Sequence, residues 1–261
     1  MFNKTLVFNY INHQFNAKTR HGVHSPFVYN LIDKVIYDFK EKHEYLEIEN
    51  LRKNLLEDDR TITITDLGAG SLVNNNKQKK VKDLAKNALK SKKLAQLLFR
   101  LAKEFKPKTA LELGSCLGVT SAYFGKAIPD GKVVTMEGCP QTAALAKENL
   151  SLLAISNTEV VVGNFDINFP EFVQSQEKID FVFIDGNHRK QATLDYFKLC
   201  LPKIHENSVL IFDDIYWSKG MKQAWEEIKN HSKVTLTIDL FWIGLVFFRT
   251  DRVKEHFKIK F

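Results

Sequence analysis

From Pro107 onward the apolar positions fall into short runs broken by glycine turns, and most runs are followed by a stretch whose apolar residues lie three and four apart. That rhythm predicts strand, turn and helix in repeat. Strands are predicted over 109–113, 132–137, 159–162, 180–184 and 208–212, and helices over 118–127, 142–153, 190–200 and 219–230, with a helix or turn near 170–175. Two closing strands, 233–238 and 244–249, are joined by a loop too short for a crossover helix, which forces antiparallel pairing at one edge. Runs so rich in Val, Ile, Leu and Phe should be buried on both faces. The expectation is an α/β fold with a mostly parallel seven-stranded sheet between helices and an antiparallel finish.

Upstream the pattern changes. As far as about Asp59 it is mostly helical, with Phe27, Leu31, Val35 and Phe39 on one face. Ser25-Pro26 is a suitable helix start, because serine can cap free amides and proline needs no donor at the first position. The preceding His21-Gly22-Val23-His24 has two histidines three apart but no third ligand at local spacing, so a structural or capping role leads and a substrate-side role comes second. Residues 61–65 alternate polar and apolar, as a strand or extended arm would, and run into Asp66-Leu67-Gly68-Ala69-Gly70. A basic amphipathic segment over 81–106 follows, with Leu84, Leu89, Leu94, Leu97, Leu98 and Leu101 as its apolar positions. The division expected is a mainly helical N-terminal accessory region, 1–90, and a main domain, 91–261.

Composition narrows the classes. A chain of 261 residues with 44% hydrophobic side chains suits one full core and a small addition. Its formal charge of +7 permits nucleic acid, yet 31 acidic residues are mixed through the chain, so no partner is defined by charge. Cys116, Cys139 and Cys200 are too few and too scattered for a zinc knuckle or a disulfide scaffold, which fits a reducing compartment. No uncharged apolar run approaches the roughly 20 residues of a membrane span, so a cytoplasmic location and no membrane partner are expected.

Two glycine strings compete for a cofactor. In the second, the strand at 109–113 runs into Glu112-Leu113-Gly114-Ser115-Cys116-Leu117-Gly118, where Gly114 permits a sharp exit and Gly118 a close approach of helix and strand. Glu137, at the end of the next strand, can accept both hydroxyls of an adenosine ribose. NAD, FAD and S-adenosylmethionine all remain open on this spacing, although the GxGxxG dinucleotide pattern is not matched cleanly. The Asp66–Gly70 string has no prompt second strand ending in an acid behind it, and is assigned to a turn or a lid of the accessory region.

The segments ALELGSCLGVTSAYFG, KVVTMEG, VVVGNFD, DFVFIDGNH and VLIFDD resemble, in order and spacing, the class I S-adenosylmethionine-dependent O-methyltransferases, especially the catechol O-methyltransferase-like branch and its bacterial relatives with a DGxH segment. The resemblance covers about 91–249. It implies a Rossmann-like class I methyltransferase fold and S-adenosylmethionine as cofactor, with Glu112, Gly114, Ser115 and Gly118 facing the methionine moiety. Glu137 and Gly138 would hold the ribose, Asn164 and Phe165 would flank the adenine, and Asp185 would border the cofactor. For Phe165 a place in the sheet-end core is the alternative.

Strand ends also carry acids. Asp185, Asp213 and Asp214 would repel one another at one sheet edge unless a cation, a proton or exposure relieved them, and magnesium or another divalent cation is a reasonable answer. The resemblance matches these three to the metal ligands of catechol-type enzymes, with Asp214 departing from the usual asparagine. His188, three residues after Asp185, is the candidate catalytic base, with Asp185 beside it as the second catalytic candidate. Asn187 could orient substrate or cap a helix. Tyr216, Trp217 and Trp242 could line an acceptor pocket or close the core, and Trp225 reads as core. The expected partner is a small hydroxyl-bearing molecule; RNA or a protein side chain is the second choice because of the basic segment at 77–106, a non-catalytic cofactor-binding protein of the same fold is the third, and the resemblance makes a homodimer possible.

Overall fold

A computed structural model describes residues 4–65, 78–250 and 253–261. The Asp66–Gly70 string lies outside the described residues. In chain order the elements are α1 (Lys4–Asn16), α2 (Pro26–Leu31), α3 (His43–Glu57), β1 (Thr61–Thr63), β2 (Gln78–Lys80), α4 (Val81–Ala88), α5 (Lys92–Phe105), β3 (Thr109–Leu113), α6 (Val119–Ala127) and β4 (Lys132–Glu137). They continue with α7 (Pro140–Leu152), β5 (Thr158–Val162), α8 (Phe165–Ser175), β6 (Ile179–Ile184), α9 (Lys190–Cys200), β7 (Ile204–Asp213), α10 (Lys219–Asn230), β8 (Leu236–Asp239), β9 (Ile243–Phe247) and β10 (Glu255–Lys258).

The chain forms two compact units, one of residues 40–174 and one of residues 1–39 with 175–261. Residues 1–90 are therefore shared between the two.

In the 40–174 unit, β3, β4 and β5 run parallel, with Leu111 opposite Val134 and Val134 opposite Glu159. The buried faces of α3, α5 and α6 meet through Tyr45, Phe99 and Tyr123, whose rings pack edge to face. The basic amphipathic segment over 81–106 folds as two helices, α4 and α5. It breaks at Leu89–Ser91, where the Ser91 hydroxyl accepts the Leu94 N–H at 3.3 Å and starts α5 afresh. Three of its eight basic residues meet acidic side chains: Lys82 reaches Asp59, Lys92 reaches Glu41, and Lys103 reaches Glu44. Residues 61–65 do contain a strand, β1, paired antiparallel with β2.

In the other unit β6 and β7 are parallel, β9 is antiparallel to β7, and β8 is antiparallel to β9. The antiparallel finish is as expected. The count is not, because β10 adds an eighth strand, parallel to β8, where seven were predicted. Helix α1 is inverted relative to ordinary amphipathic helices: Asn9, His13 and Ala17 at its end are buried, while Phe8, Ile11 and Phe15 are exposed. Pro26 opens α2 as predicted, but the Ser25 side chain makes no capping hydrogen bond. Trp225 is core, and its indole lies so close over Gly244 that a Cβ there would sit 2.5 Å from the ring. Near the outer strand, Lys18 bridges to Ile259. No helix of the described residues is long and apolar enough to cross a membrane.

Candidate active site

In the 40–174 unit the β3–α6 connection is built by backbone. Gly114 and Ser115 donate their N–H groups to Met136 O at 2.9 and 3.2 Å, which pins the loop to the next strand. Gly118, with φ +76°, ends the loop, and a Cβ on it would meet the Ala146 backbone at 3.1 Å. Both the left-handed turn and the close approach of α7 exclude a side chain there. Glu137 is thereby placed beside the loop: one carboxylate oxygen accepts the Cys116 N–H at 2.8 Å and the other the Cys139 N–H at 2.9 Å. Burial pushes its pKa up, opposed by those backbone hydrogen bonds.

Glu112 lies wholly inside. Its Oε2 accepts from the Ser121 hydroxyl and, at 2.7 Å, from Thr135 Oγ1, whereas Oε1 is buried with no hydrogen-bond partner among the described residues. Burial pushes its pKa up to about 7, with the two hydroxyls and Lys90 pulling the other way and Glu137 adding to the rise. Ser115 is also buried, its hydroxyl bonded to Thr135. Gly138 follows Glu137 at the surface of the strand end, half-buried. After β5, Gly163 donates to Glu137 O at 2.9 Å, and the Asn164 side chain accepts the Asp166 N–H at 2.9 Å to start α8. Phe165 is half-buried at the first position of α8, so it is not a core residue. The helix expected near 170–175 begins there, earlier than predicted, and carries Pro170 within it.

In the other unit, β6 and β7 end at adjacent positions on the sheet's carboxyl edge. Ligand atoms of Asp185, His188 and Asp213 lie within 4.8 Å of one another. His188 Nε2 is 3.6 Å from Asp185 Oδ1, and Asp213 is buried. Asp214 does not join this group. Its backbone takes φ +52° and donates its N–H to Trp242 O at 2.7 Å, which turns the chain away from the strand direction immediately after Asp213. Asn187, also left-handed with φ +52°, is buried and bonds Tyr196 OH at 3.1 Å and Arg189 Nε at 2.6 Å. It shapes the loop that presents His188. His21 and His24 are exposed and belong to no metal-compatible group among the described residues.

Sequence reasoning passed over a neighbouring network. His13 of α1 is buried with Nε2 3.0 Å from Asp239 Oδ1, and Asp239 Oδ2 accepts the Tyr216 hydroxyl at 2.6 Å. Tyr216 stacks on Phe241 with centroids 5.0 Å apart, and Phe241 meets Trp242 edge-on. Tyr216 is thus core, Trp217 is half-buried, and Trp242 is 39% exposed. The available signals were the four-residue spacing of Asn9 and His13 and one more strand-end acid, Asp239.

The family model described as "Methyltransferase domain" matches residues 111–215. The O-methyltransferase imqG of Aspergillus flavus is 29% identical over 133 residues, 49% of this chain and 53% of that protein. A catechol O-methyltransferase of Niastella koreensis is 27% identical over 126 residues, 47% of this chain and 55% of its own length. The matched segment thus spans about half the length of these relatives. The structure of SAH-bound methyltransferase PaMTH1 of Podospora anserina superposes with a TM-score of 0.60 at 12% identity, covering 87% of this chain and 97% of that one. Such a likeness establishes the fold, Rossmann-like with a mostly parallel sheet. The loop at Gly114–Gly118, the acid at Glu137 and the strand-end acids Asp185 and Asp213 all fall within the segment, residues 111–215, that is similar to a methyltransferase domain.

Proposed function

We propose that this protein transfers a methyl group from S-adenosylmethionine to a hydroxyl oxygen of a small molecule, with a divalent cation assisting. The observation that carries this reading is the gathering of Asp185, His188 and Asp213 at one strand-end cluster. Two carboxylates beside one imidazole suit a cation and a proton acceptor together.

The cofactor supplies an activated methyl group on sulfur. Glu137, fixed by two backbone N–H groups, is a preorganised acceptor for ribose hydroxyls. The orphaned buried oxygen of Glu112 fits a cationic amino group or its bound water. Gly114, Ser115, Gly118 and Gly138 shape the approach, and Asn164 and half-buried Phe165 would flank the base.

Asp185 and Asp213 would hold the cation, and its charge would ease loss of the acceptor's proton. His188 would take that proton, and S-adenosylmethionine, when bound, would supply the methyl group to the freed oxygen and leave as S-adenosylhomocysteine. Asp185, next to His188, orients the imidazole and stabilises its charged form. The ion pairs of Lys82, Lys92 and Lys103 with acids offset part of the charge on α4 and α5, which favours a small acceptor over RNA. A homodimer remains compatible with this reading.

The experiment is methyl transfer from labelled S-adenosylmethionine to a panel of catechols and other hydroxyl compounds, with Mg2+, Mn2+ or chelator. O-methyl product that falls with chelator supports the proposal; product at undiminished rate in chelator overturns the cation's part, and label incorporated only into RNA overturns the acceptor class. In calorimetry, Glu137→Ala should weaken S-adenosylhomocysteine binding by about tenfold or more, one lost charge-assisted contact to two hydroxyls.

A further inference from the structure

A cavity of about 260 Å3 opens in the unit of residues 1–39 and 175–261, beyond the acid and histidine cluster. Buried Thr237 and Asp239 of β8 form part of its lining, and Lys18, Lys229, His256 and Lys258 surround them. The parallel register of β10 on β8 sets Lys258 opposite Asp239 and His256 opposite Thr237. The bridge of Lys18 to Ile259 brings the third element alongside.

The charges do not balance. Asp239 is the one acid of the lining, and its oxygens already receive His13, the Tyr216 hydroxyl at 2.6 Å and the Phe241 N–H at 2.9 Å. Lys229 is paired with Glu226 at 2.8 Å. Lys18 and Lys258 have no carboxylate partner among the described residues. The imidazole of His256 is held below its usual pKa by burial and by Lys229 and Lys254, as a positive local field requires. The Thr237 hydroxyl is 2.8 Å from His256 Nδ1, so the two ammonium groups over the cavity are what attract an anion that can accept several hydrogen bonds.

We propose that this cavity binds a small phosphate-class anion. Strands β7, β8 and β10 run in the same direction, so the cavity shares its carboxyl edge with Asp213. At the usual strand spacing β8 and β10 lie roughly 10 and 14 Å from β7. An anion there is either a free ligand or a phosphate or carboxylate on the acceptor itself, far from the hydroxyl that is methylated; the latter source rests on the function proposed above.

Inorganic phosphate is titrated into the full chain at constant ionic strength and followed by amide chemical shifts, with chloride as control. Saturable shifts in β8 and β10 are expected with phosphate and not with chloride. The double substitution Lys18→Gln with Lys258→Gln should weaken binding about tenfold or more, and Lys18→Arg with Lys258→Arg should retain it. Absence of saturable shifts, or equal affinity in the glutamine variant, overturns the site. Once a methyl acceptor is in hand, competition by phosphate identifies the acceptor as the anion's carrier, and its absence identifies a free ligand. Failure of methyl transfer leaves the phosphate titration to stand or fall alone.

Discussion

The imidazole of His13 lies 3.0 Å from the carboxylate of Asp239, both buried, although 226 residues separate them. Burial alone would raise the Asp239 pKa, but hydrogen bonds from His13 and Tyr216 and the charge of His13 bring it below the ordinary 3.8. A depressed carboxylate stabilises the fold above its unfolded pKa and loses that contribution as pH falls through the native value. His13→Ala should therefore destabilise the protein at pH 7 by about 3 kcal/mol, the range for breaking a buried pair. Urea unfolding checks this, together with a smaller loss than wild type on going from pH 5 to pH 3. An unchanged midpoint at pH 7 would show the pair to be without consequence.

Glu112 predicts the opposite slope. The native protein keeps this proton to about pH 7, while the unfolded chain releases it near 4.5, so the native state binds more protons in between. Stability should fall as pH rises through that window, by up to roughly 3 kcal/mol. Glu112→Gln should flatten the slope and melt higher than wild type at pH 8. Parallel melting curves for the two proteins from pH 5 to 8 would refute the assignment.

Gly118→Ala combines a left-handed backbone with a Cβ 3.1 Å from Ala146. A loss of about 1–3 kcal/mol is expected from strain and overpacking. Because Glu137 is tied to the same loop through Cys116, S-adenosylhomocysteine affinity measured by calorimetry should drop as well. Full stability in denaturant would mean the helices part more easily than the packing implies.

His188→Ala should lower kcat by a factor of about 100 or more with little change in acceptor KM, as loss of a general base does. Asp213→Ala should abolish any dependence on divalent cation, and Asp214→Ala should leave that dependence in place. Steady-state kinetics across a cation titration separate the three. Identical behaviour of the two aspartate variants would return Asp214 to the cation site.

Much of this was readable beforehand where one physical cause dominates. Strands β3 and β4 and helices α9 and α10 have the predicted bounds, because apolar runs flanked by glycine or a helix period leave few alternatives. The split of α4 from α5 was missed although Ser91 signals it, since the leucines on either side keep the apolar pattern going. Strand β10 was missed because Glu255, His256 and Lys258 look like solvated polar chain; its reason for forming is an edge on β8, which is a tertiary fact. At the candidate site, strand-end logic pointed to Asp185, His188 and Asp213, which the fold brings together. It could not tell Asp213 from Asp214, because a left-handed turn between neighbours decides which carboxylate stays with the cluster.

The bridge between Lys18 and the last strand also sets a timetable. Lys18 exchanges main-chain hydrogen bonds with Lys258 and Lys260, and the Tyr37 hydroxyl reaches Lys260 O across 223 residues. During synthesis residues 40–174 can close their own contacts as they emerge, whereas α1 waits for its partners for roughly ten seconds to a minute at ordinary elongation rates. Throughout that interval Phe8, Ile11 and Phe15 are joined in solvent by whatever α1 will later bury, so the nascent chain offers α1 to chaperones before it offers it to itself.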